Sequence, residues 1–418
     1  MTVIDLGELR DEAPTPGPAA RPPRAVGRPF RTALALLVAL VTLAAGAPPA
    51  RSAVGAIPGG PGSTAFLSED RVYVVRPPHG WPDTERELVA YRVGRELWRT
   101  PLPGIGDVMS VWQAGGRVLA AVRTGDDQEW ETVALDAGTG ASRWRQPGIA
   151  VPAGDGLLLF PAGGSAPRAV RRLAVTDGHT TWTAPTSADV QVSYGPSGVE
   201  RLLLRSTAGE TVVLDAVTGA RLAARNLRPG QPPAQRRMAA VAGLLVEIRE
   251  AGDAVDAYEL DTLRPLWTAE LPLVGALERC GALLCAGRST GGLWALDPAT
   301  GAVRWTVERW TGVLRAESGH LLVGAEDAGG ARLAVLAEAD GRLVADLGGW
   351  GVLGQSEADD GLLLTRPLGG GRLLLAEPDL SGGPPAARDV LTGTDCTAGR
   401  TLLVCRERGG DFTLRRLP

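Results

Sequence analysis

The sequence predicts an all-β fold, a β-propeller of four-stranded antiparallel blades that is preceded by one transmembrane helix. Three observations lead to this expectation. A hairpin signature that ends in Trp returns about every 40 residues, short apolar runs alternate with turn residues, and one long uncharged run lies near the N-terminus of the 418-residue chain. Short runs bounded by Gly, Asp and Ser are typical of strands. A β-unit of this length cannot bury both faces alone, so neighbouring units must stack around an axis.

The N-terminal region carries the localisation signal. Thr32 to Ala47 has no charge and is rich in Leu, Val and Ala; as a helix it spans roughly 24 Å, slightly short of a hydrocarbon core of about 30 Å. Four arginines lie between positions 21 and 31, so the positive-inside rule places residues 1–31, a disordered tail, in the cytoplasm. We predict a signal anchor over residues 32–50. A cleaved signal peptide, which would give a secreted protein, is the alternative.

After a Gly/Pro linker at residues 51–62, the propeller is predicted to occupy residues 63–418. Each unit begins with an apolar run, and the runs start 38 to 46 residues apart. The nine runs are Val72–Val75, Val118–Val122, Leu157–Phe160, Leu202–Leu204, Leu244–Ile248, Leu283–Ala286, Leu321–Val323, Leu362–Thr365 and Leu402–Cys405. The last unit stops after two strands, and propellers commonly close by joining strands from both chain ends. We therefore predict eight blades, with seven or nine as the alternatives.

The second strand of each unit ends near an acidic residue that begins a tight turn. Asp bonds its own backbone two residues on and Gly supplies positive φ, so Asp-x-x-x-Gly closes a hairpin. A third strand leads to an aromatic position, where a flat ring suits a wedge between sheets. The predicted repeat residues are Asp136, Gly140, Trp144, Asp215, Gly219, Asp261, Trp267, Asp297, Gly301 and Trp305, with Trp98 and Trp182 at the same aromatic position. Where Trp is missing, the frame leads to Leu222 and Val344.

The frame Leu-Asp-x-x-Thr-Gly-x-x-x-Trp, at Leu135–Trp144 and Leu296–Trp305, resembles the pyrroloquinoline-quinone (PQQ)-like repeat. That repeat builds the eight-bladed propellers of quinoprotein alcohol dehydrogenases and of the outer-membrane assembly lipoprotein of the Bam complex. The resemblance covers roughly residues 63–418 and implies the same fold. A WD-type propeller is the alternative, although no Trp-Asp dipeptide occurs in the chain.

The four cysteines agree with export into an oxidising compartment. Cys285 and Cys405 lie 120 residues apart, which is three repeats, so they occupy separated blades beyond the ~7 Å Cα limit of a disulfide. We predict that Cys280 pairs with Cys285 and that Cys396 pairs with Cys405, each bond locking a local hairpin. Free buried thiols are the alternative.

The sequence offers no catalytic set. The resemblance implies that quinoprotein enzymes hold their cofactor with a calcium ion, carboxylate and Asn ligands and an Asp base, often beside a vicinal disulfide. This chain has no adjacent cysteines and a single asparagine, Asn226, in a Pro-rich connection. We therefore predict no enzyme activity, no cofactor and no metal. A net charge of −4 argues against a nucleic-acid partner.

We interpret the protein as a membrane-anchored extracytoplasmic scaffold that binds a protein or a small ligand. A PQQ-dependent oxidoreductase with a degenerate site and a ligand-sensing ectodomain are the alternatives. Two irregular connections, Pro77–Arg86 and Arg228–Arg237, are candidate binding loops, because loops on a rigid scaffold often carry function. No lipobox cysteine lies near the apolar run, so we do not expect the outer-membrane role to transfer.

Overall fold

In the computed structural model the chain divides into two compact units, Met1–Ala50 and Arg51–Pro418. The structure describes residues 54–78, 85–104, 107–125, 129–162, 169–186, 189–227, 237–249, 252–327, 330–355 and 361–417. These residues form 37 β-strands and no helix. The described ranges accordingly contain no apolar helix that could span a membrane, and the predicted anchor at residues 32–50 lies outside them.

The described strands form nine four-stranded antiparallel units, called blades 1 to 9 in chain order. Blade 1 contains β2 (Thr64–Ser68), β3 (Arg71–Arg76), β4 (Arg86–Arg92) and β5 (Arg95–Leu102). Blade 2 contains β6 (Val108–Ala114), β7 (Arg117–Arg123), β8 (Trp130–Asp136) and β9 (Ser142–Pro147). Blade 3 contains β10 (Ile149–Ala153), β11 (Gly156–Phe160), β12 (Ala169–Ala174) and β13 (Thr180–Pro185). Blade 4 contains β14 (Asp189–Gly195), β15 (Gly198–Arg205), β16 (Glu210–Asp215) and β17 (Arg221–Asn226). Blade 5 contains β18 (Arg237–Val241), β19 (Leu244–Ile248), β20 (Ala254–Glu259) and β21 (Pro265–Glu270). Blade 6 contains β22 (Val274–Cys280), β23 (Leu283–Arg288), β24 (Leu293–Leu296) and β25 (Val303–Val307).

Blades 7 and 8 contain β26 (Gly312–Glu317), β27 (His320–Asp327), β28 (Gly330–Ala337) and β29 (Leu343–Gly348); and β30 (Gly351–Val352), β32 (Leu364–Gly369), β33 (Arg372–Glu377) and β34 (Ala386–Thr392). Blade 9 contains β35 (Thr394–Ala398), β36 (Leu402–Arg406) and β37 (Phe412–Arg416), and its fourth strand is β1 (Gly55–Ile57). Among the described residues, two strand pairings cross between blades. Ala153 of blade 3 bridges Gly198 of blade 4, and β31 (Gly354–Gln355) pairs in parallel with β35.

A separate hydrophobic cluster fills each junction between neighbouring blades. The cluster between blades 1 and 2 packs Tyr73 and Leu88 against Val118 and Leu135, all nearly or fully buried. Equivalent clusters follow at every later junction. The ninth joins blade 9 to blade 1 and includes Ile57, Val72, Leu402 and Phe412. Because the last blade shares a core with the first, the ring is closed.

The described residues thus form nine blades, whereas the sequence interpretation gave eight. The nine apolar runs are the second strands of their blades and not the first, so each run belongs to a complete unit. The final run, β36, gains its fourth strand from β1, which pairs with β37 through Gly55, Ala56 and Ile57. This strand lies inside the predicted linker at residues 51–62, so that prediction is corrected as well: part of the segment is a blade strand.

The Asp-x-x-x-Gly turn and the Trp of the preceding blade together build most junctions. The Asp136 carboxylate accepts hydrogen bonds from the backbone of Gly138 and Thr139, both at 3.1 Å. The Trp98 indole donates to the Ala137 carbonyl at 3.0 Å, and its ring covers Gly140. The same indole bond to the following blade recurs at Trp144, Trp182, Trp267 and Trp305.

The repeat position in blade 5 differs from the sequence prediction. Leu263 donates its backbone N–H to the Glu259 carbonyl, as Gly140 does to Asp136, so Glu259 occupies the acidic position of the turn. Asp261 lies two residues further on. The prediction chose Asp261 because it follows an apolar residue, as Asp136 does. The position of each residue in the turn is set by the backbone hydrogen bonds, and these assign the acidic position to Glu259.

The structure pairs Cys280 with Cys285 and Cys396 with Cys405, as predicted, with Cα–Cα distances of 5.7 and 4.0 Å. The first disulfide joins β22 to β23 and the second joins β35 to β36. Each therefore ties the first two strands of one blade.

Candidate interaction cleft

The turns between first and second strands and between third and fourth strands lie on one face of the propeller, called the turn face. A cleft of about 800 Å³ opens there across blades 4, 5 and 6. Blade 5 supplies an apolar floor that includes Ala240, Val241 and Leu260. Blade 4 contributes Tyr194 and blade 6 contributes Arg279 to the opposite walls. The cleft is thus formed by three consecutive repeats.

A β-bulge places Tyr194 in the wall of the cleft. The pairing of β14 with β15 shifts register between Ser193 and Tyr194, and the Tyr194 side chain is 67% exposed. The hairpin tip is held by blade 3, because the Gly154 N–H donates to the Ser197 carbonyl at 3.0 Å. At Gly198, φ is 98° and the Pro152 carbonyl leaves no space for a Cβ. Glycine is therefore required where the two blades meet, and the tip of the hairpin packs directly against blade 3.

Two constraints hold the blade 6 wall in place. Arg279 is followed by the buried Cys280, whose disulfide to Cys285 ties β22 to β23. The Ala282 N–H donates to the Glu338 carboxylate of blade 7 at 2.6 Å. The turn that carries Arg279 is therefore fixed both within its own blade and by the next one.

Arg201 ties the blade 4 wall to the floor of the cleft. Its guanidinium donates to both carboxylate oxygens of Asp261, at 2.7 and 3.1 Å, and to Asp215 at 3.3 Å. The hydrogen bond to Asp261 raises the pKa of Arg201 above its ordinary value. The Thr262 hydroxyl, followed by the Arg264 guanidinium, holds the pKa of Glu259 below its ordinary value. These groups therefore stay charged at neutral pH.

Two of the five charged side chains that line the cleft have no ion-pair partner among the described residues. The Glu200 carboxylate lies over Gly195 in the blade 4 wall. Within the part of the chain that the structure describes, the Arg279 guanidinium donates only to the Gly281 carbonyl, at 3.0 Å. Arg201, Glu259 and Asp261, in contrast, are all paired within the protein. The cleft thus presents a free negative charge on one wall and a free positive charge on the other.

The predicted repeat residues are distributed around the ring and do not form a common site. Only Asp261 lines the cleft, where it binds Arg201. The predicted loop at Pro77–Arg86 and the loop at Arg228–Arg237 lie mostly outside the described residues. Sequence reasoning missed Tyr194, Glu200 and Arg279, because a strand bulge and the pairing state of surface charges leave no pattern in one sequence.

The residues that the structure describes do not fit a calcium-bound quinone. Within those ranges no three His, Cys, Asp or Glu side chains lie close enough to hold a metal ion. Asn226 is the last residue of the outer strand β17, whereas the sequence placed it in a Pro-rich connection. Its side-chain amide donates to the Ala208 carbonyl at 3.4 Å. This donor set differs from the one that the quinoprotein resemblance implies.

Nine four-stranded blades with Trp-to-turn junctions define a repeat β-propeller with a surface cleft. Three overlapping segments, residues 37–158, 114–307 and 209–348, match the family model described as outer membrane protein assembly factor BamB. Together they cover well over half of the 418 residues. The chain therefore belongs to this family of PQQ-like repeat propellers.

The solved structures to which the chain is similar are distant in sequence. BamB from Moraxella catarrhalis is 16% identical, with 85% of this chain and 96% of that chain covered and a TM-score of 0.42. The computationally designed Ika8 protein is 12% identical over 78% and 100% of the two chains, with a TM-score of 0.48. The quinohemoprotein alcohol dehydrogenase ADHIIG from Pseudomonas putida HK5 is 13% identical over 65% and 62%, with a TM-score of 0.38. No curated protein sequence matches the chain.

Proposed function

We propose that the protein is a non-catalytic, extracytoplasmic scaffold, held at the membrane by the apolar segment at residues 32–50, that binds a partner protein at the cleft of blades 4 to 6. The observation that carries this proposal is Tyr194. An aromatic side chain that is 67% exposed stands on a braced hairpin beside an apolar floor. Large aromatic and Arg side chains at the centre of a concave surface are typical of binding hot spots.

The rigidity of the walls supports the same function. Binding costs less free energy when the contacting groups are already ordered in the free protein. Here the bulge, the contact with blade 3 and the disulfide of blade 6 hold the two walls in fixed positions. A partner would therefore meet a preformed surface. The family membership is consistent with a role that depends on the propeller surface and not on a bound cofactor.

Site-specific photo-crosslinking tests the proposal. A photoreactive amino acid replaces Tyr194 in the full chain in its own host, and a second strain carries it at Leu222, which is 41% exposed on the outer strand β17. We expect a discrete crosslinked protein from position 194 and none from position 222. The same products from both positions, or none from either, would contradict the proposal. Alcohol oxidation by the purified chain with added quinone and calcium would contradict the non-catalytic role.

A further inference from the structure

The two free charges of the cleft restrict what it can bind. Glu200 belongs to β15 of blade 4 and Arg279 to β22 of blade 6, so the floor of blade 5 separates them. Their neighbours are satisfied internally: Arg201 binds Asp215 and Asp261. A ligand that fills the cleft must therefore provide a positive group on the blade 4 side and a negative group on the blade 6 side, or leave both charges desolvated without a partner.

The exposed ring of Tyr194 strengthens the preference for a cation on the blade 4 side. A guanidinium or ammonium group that sits over an aromatic face is attracted by the ring quadrupole. The same group can form a charge-assisted hydrogen bond with the Glu200 carboxylate, and such bonds are stronger than neutral ones. Both residues line the cleft, and the hairpin that carries them is bonded to Gly154 of blade 3.

We infer that the occupant of the cleft is an extended segment of a protein partner, with a Lys or Arg side chain received by Tyr194 and Glu200 and an acidic side chain received by Arg279. This inference rests on the proposed function and specifies its chemistry. The apolar floor, with Ala240, Val241 and Leu260, takes the apolar residues between the two charged ones. The opposite charges fix the direction in which the segment lies across the three blades.

Selection from a random 12-residue peptide library against the purified full chain tests the inference. We expect enriched peptides to carry a Lys or Arg followed or preceded, across apolar residues, by Asp or Glu. Retention of these peptides falls at least about tenfold on Glu200→Arg, because reversal of a contacting charge replaces attraction with repulsion. Tyr194→Ala weakens retention, and Arg279→Glu removes the selection for the acidic position.

Glu210→Arg is the matched control, because Glu210 is an exposed acid of blade 4 whose ion pair with Arg221 lies outside the cleft. It should leave retention unchanged. Enrichment without basic residues, equal retention on Glu200→Arg, or no enrichment at all would overturn the inference. If crosslinking from position 194 still captures one protein, the proposed function stands and only the ligand chemistry fails. If both experiments are negative, both proposals fail.

Discussion

At Gly341 the junction between blades 6 and 7 depends on the absence of one carbon atom. The Trp305 indole donates to the Glu338 carbonyl at 2.7 Å, and its ring lies where a Cβ of residue 341 would stand, 2.6 Å from the ring atom Cε3. Backbone and ring approach each other too closely for any side chain. Glycine is therefore required at Gly341 for two separate reasons, its positive φ and the neighbouring ring, and the same holds at Gly140, Gly178, Gly219 and Gly301.

Gly341→Ala and Gly319→Ala separate these two reasons within blade 7. Both glycines have similar φ, 70° and 76°, but a Cβ at Gly319 meets nothing within 4 Å. Alanine in the left-handed region costs about 1–2 kcal/mol at each position. At Gly341 the clash with Trp305 adds about 1–3 kcal/mol. Urea unfolding should show a larger loss for Gly341→Ala. Equal losses would mean that the ring moves aside freely.

The turn carboxylates make the stability of the protein depend on pH in acid. A hydrogen bond from Arg143, followed by one from Thr139, lowers the pKa of Asp136 from 3.8 to about 2. A depressed pKa in the folded state means that the unfolded chain takes up the proton first. The stabilisation by the carboxylate is therefore complete above about pH 4 and is lost as the pH falls to about 2.

Thermal melting of the wild type and Asp136→Asn between pH 6 and pH 2 measures this contribution. Asparagine keeps the turn acceptor but not the charge that binds Arg143. We expect a constant difference in Tm above pH 4 that shrinks below it and disappears near pH 2. A difference that persists unchanged at pH 2 would assign the effect to the shape of the turn and not to its charge.

At the scale of the strand, the junction between blades 4 and 5 differs from the five junctions that use a Trp. The aromatic position of blade 4 is Ala223, which pairs with Val213 as Trp144 pairs with Ala134. In the turn it faces, Leu263 replaces the usual glycine, at a φ of 55° and fully buried. At this junction the large apolar side chain therefore comes from the turn of blade 5, whereas at the Trp junctions it comes from the outer strand of the preceding blade. Buried Arg205 and Glu247, 3.1 Å apart, also cross this junction.

Exchange of the two residues tests whether they act as a pair. Leu263→Gly removes backbone strain but leaves a cavity and should cost about 2–4 kcal/mol, and Ala223→Trp should clash with Leu263. The double variant recreates the Trp–Gly arrangement of the five junctions that use a Trp. We expect it to be more stable than the sum of the single losses predicts, with a coupling of at least about 1 kcal/mol in a double-mutant cycle. Additive losses would contradict the pairing.

These strands also show which features a single sequence can and cannot reveal. Spacing, turn chemistry and alternation are local, so the fold, the Asp–Gly turns and the tryptophans could be predicted. Bulges are not local in this sense. Val190, Val192 and Tyr194 alternate as a buried face would, yet the shift after Ser193 exposes Tyr194. The choice of Leu222 was a different kind of error, because Ala223 stands at the same distance from Asp215 as Trp144 does from Asp136, and the pairing of Ala223 with Val213 confirms that spacing.

At the scale of the whole molecule, the ring closes through a strand of only three residues. β1 pairs with β37, Val54 donates to the Leu414 carbonyl at 2.8 Å, and Gly59 donates to the Asp411 carboxylate at 3.0 Å. This pairing joins positions more than 350 residues apart. The number of blades depends on this long-range contact, and the repeat spacing alone therefore could not give it.

Ile57 is the residue of β1 through which closure should contribute most to stability. Its side chain is fully buried in the core between blades 9 and 1, which also contains Val72 and Leu414. Ile57→Ala should lower the free energy of unfolding by about 2–5 kcal/mol, because it leaves a cavity in that core. The exposed neighbour Ala56 provides the control, and Ala56→Ser should change stability by less than about 0.5 kcal/mol.

Truncation separates closure from the loss of one side chain. A chain without residues 1–50 keeps β1 and all nine described junctions, whereas a chain without residues 1–62 loses β1 and leaves the edge of β37 unpaired. An unpaired edge with an opened core favours association between copies. We expect the shorter chain to melt at a lower temperature and to form oligomers in light scattering, while the longer one stays monomeric. If both chains melt alike and Ile57→Ala is neutral, the ring is held by the contacts of β2 with β35 and β36, and β1 is dispensable for closure.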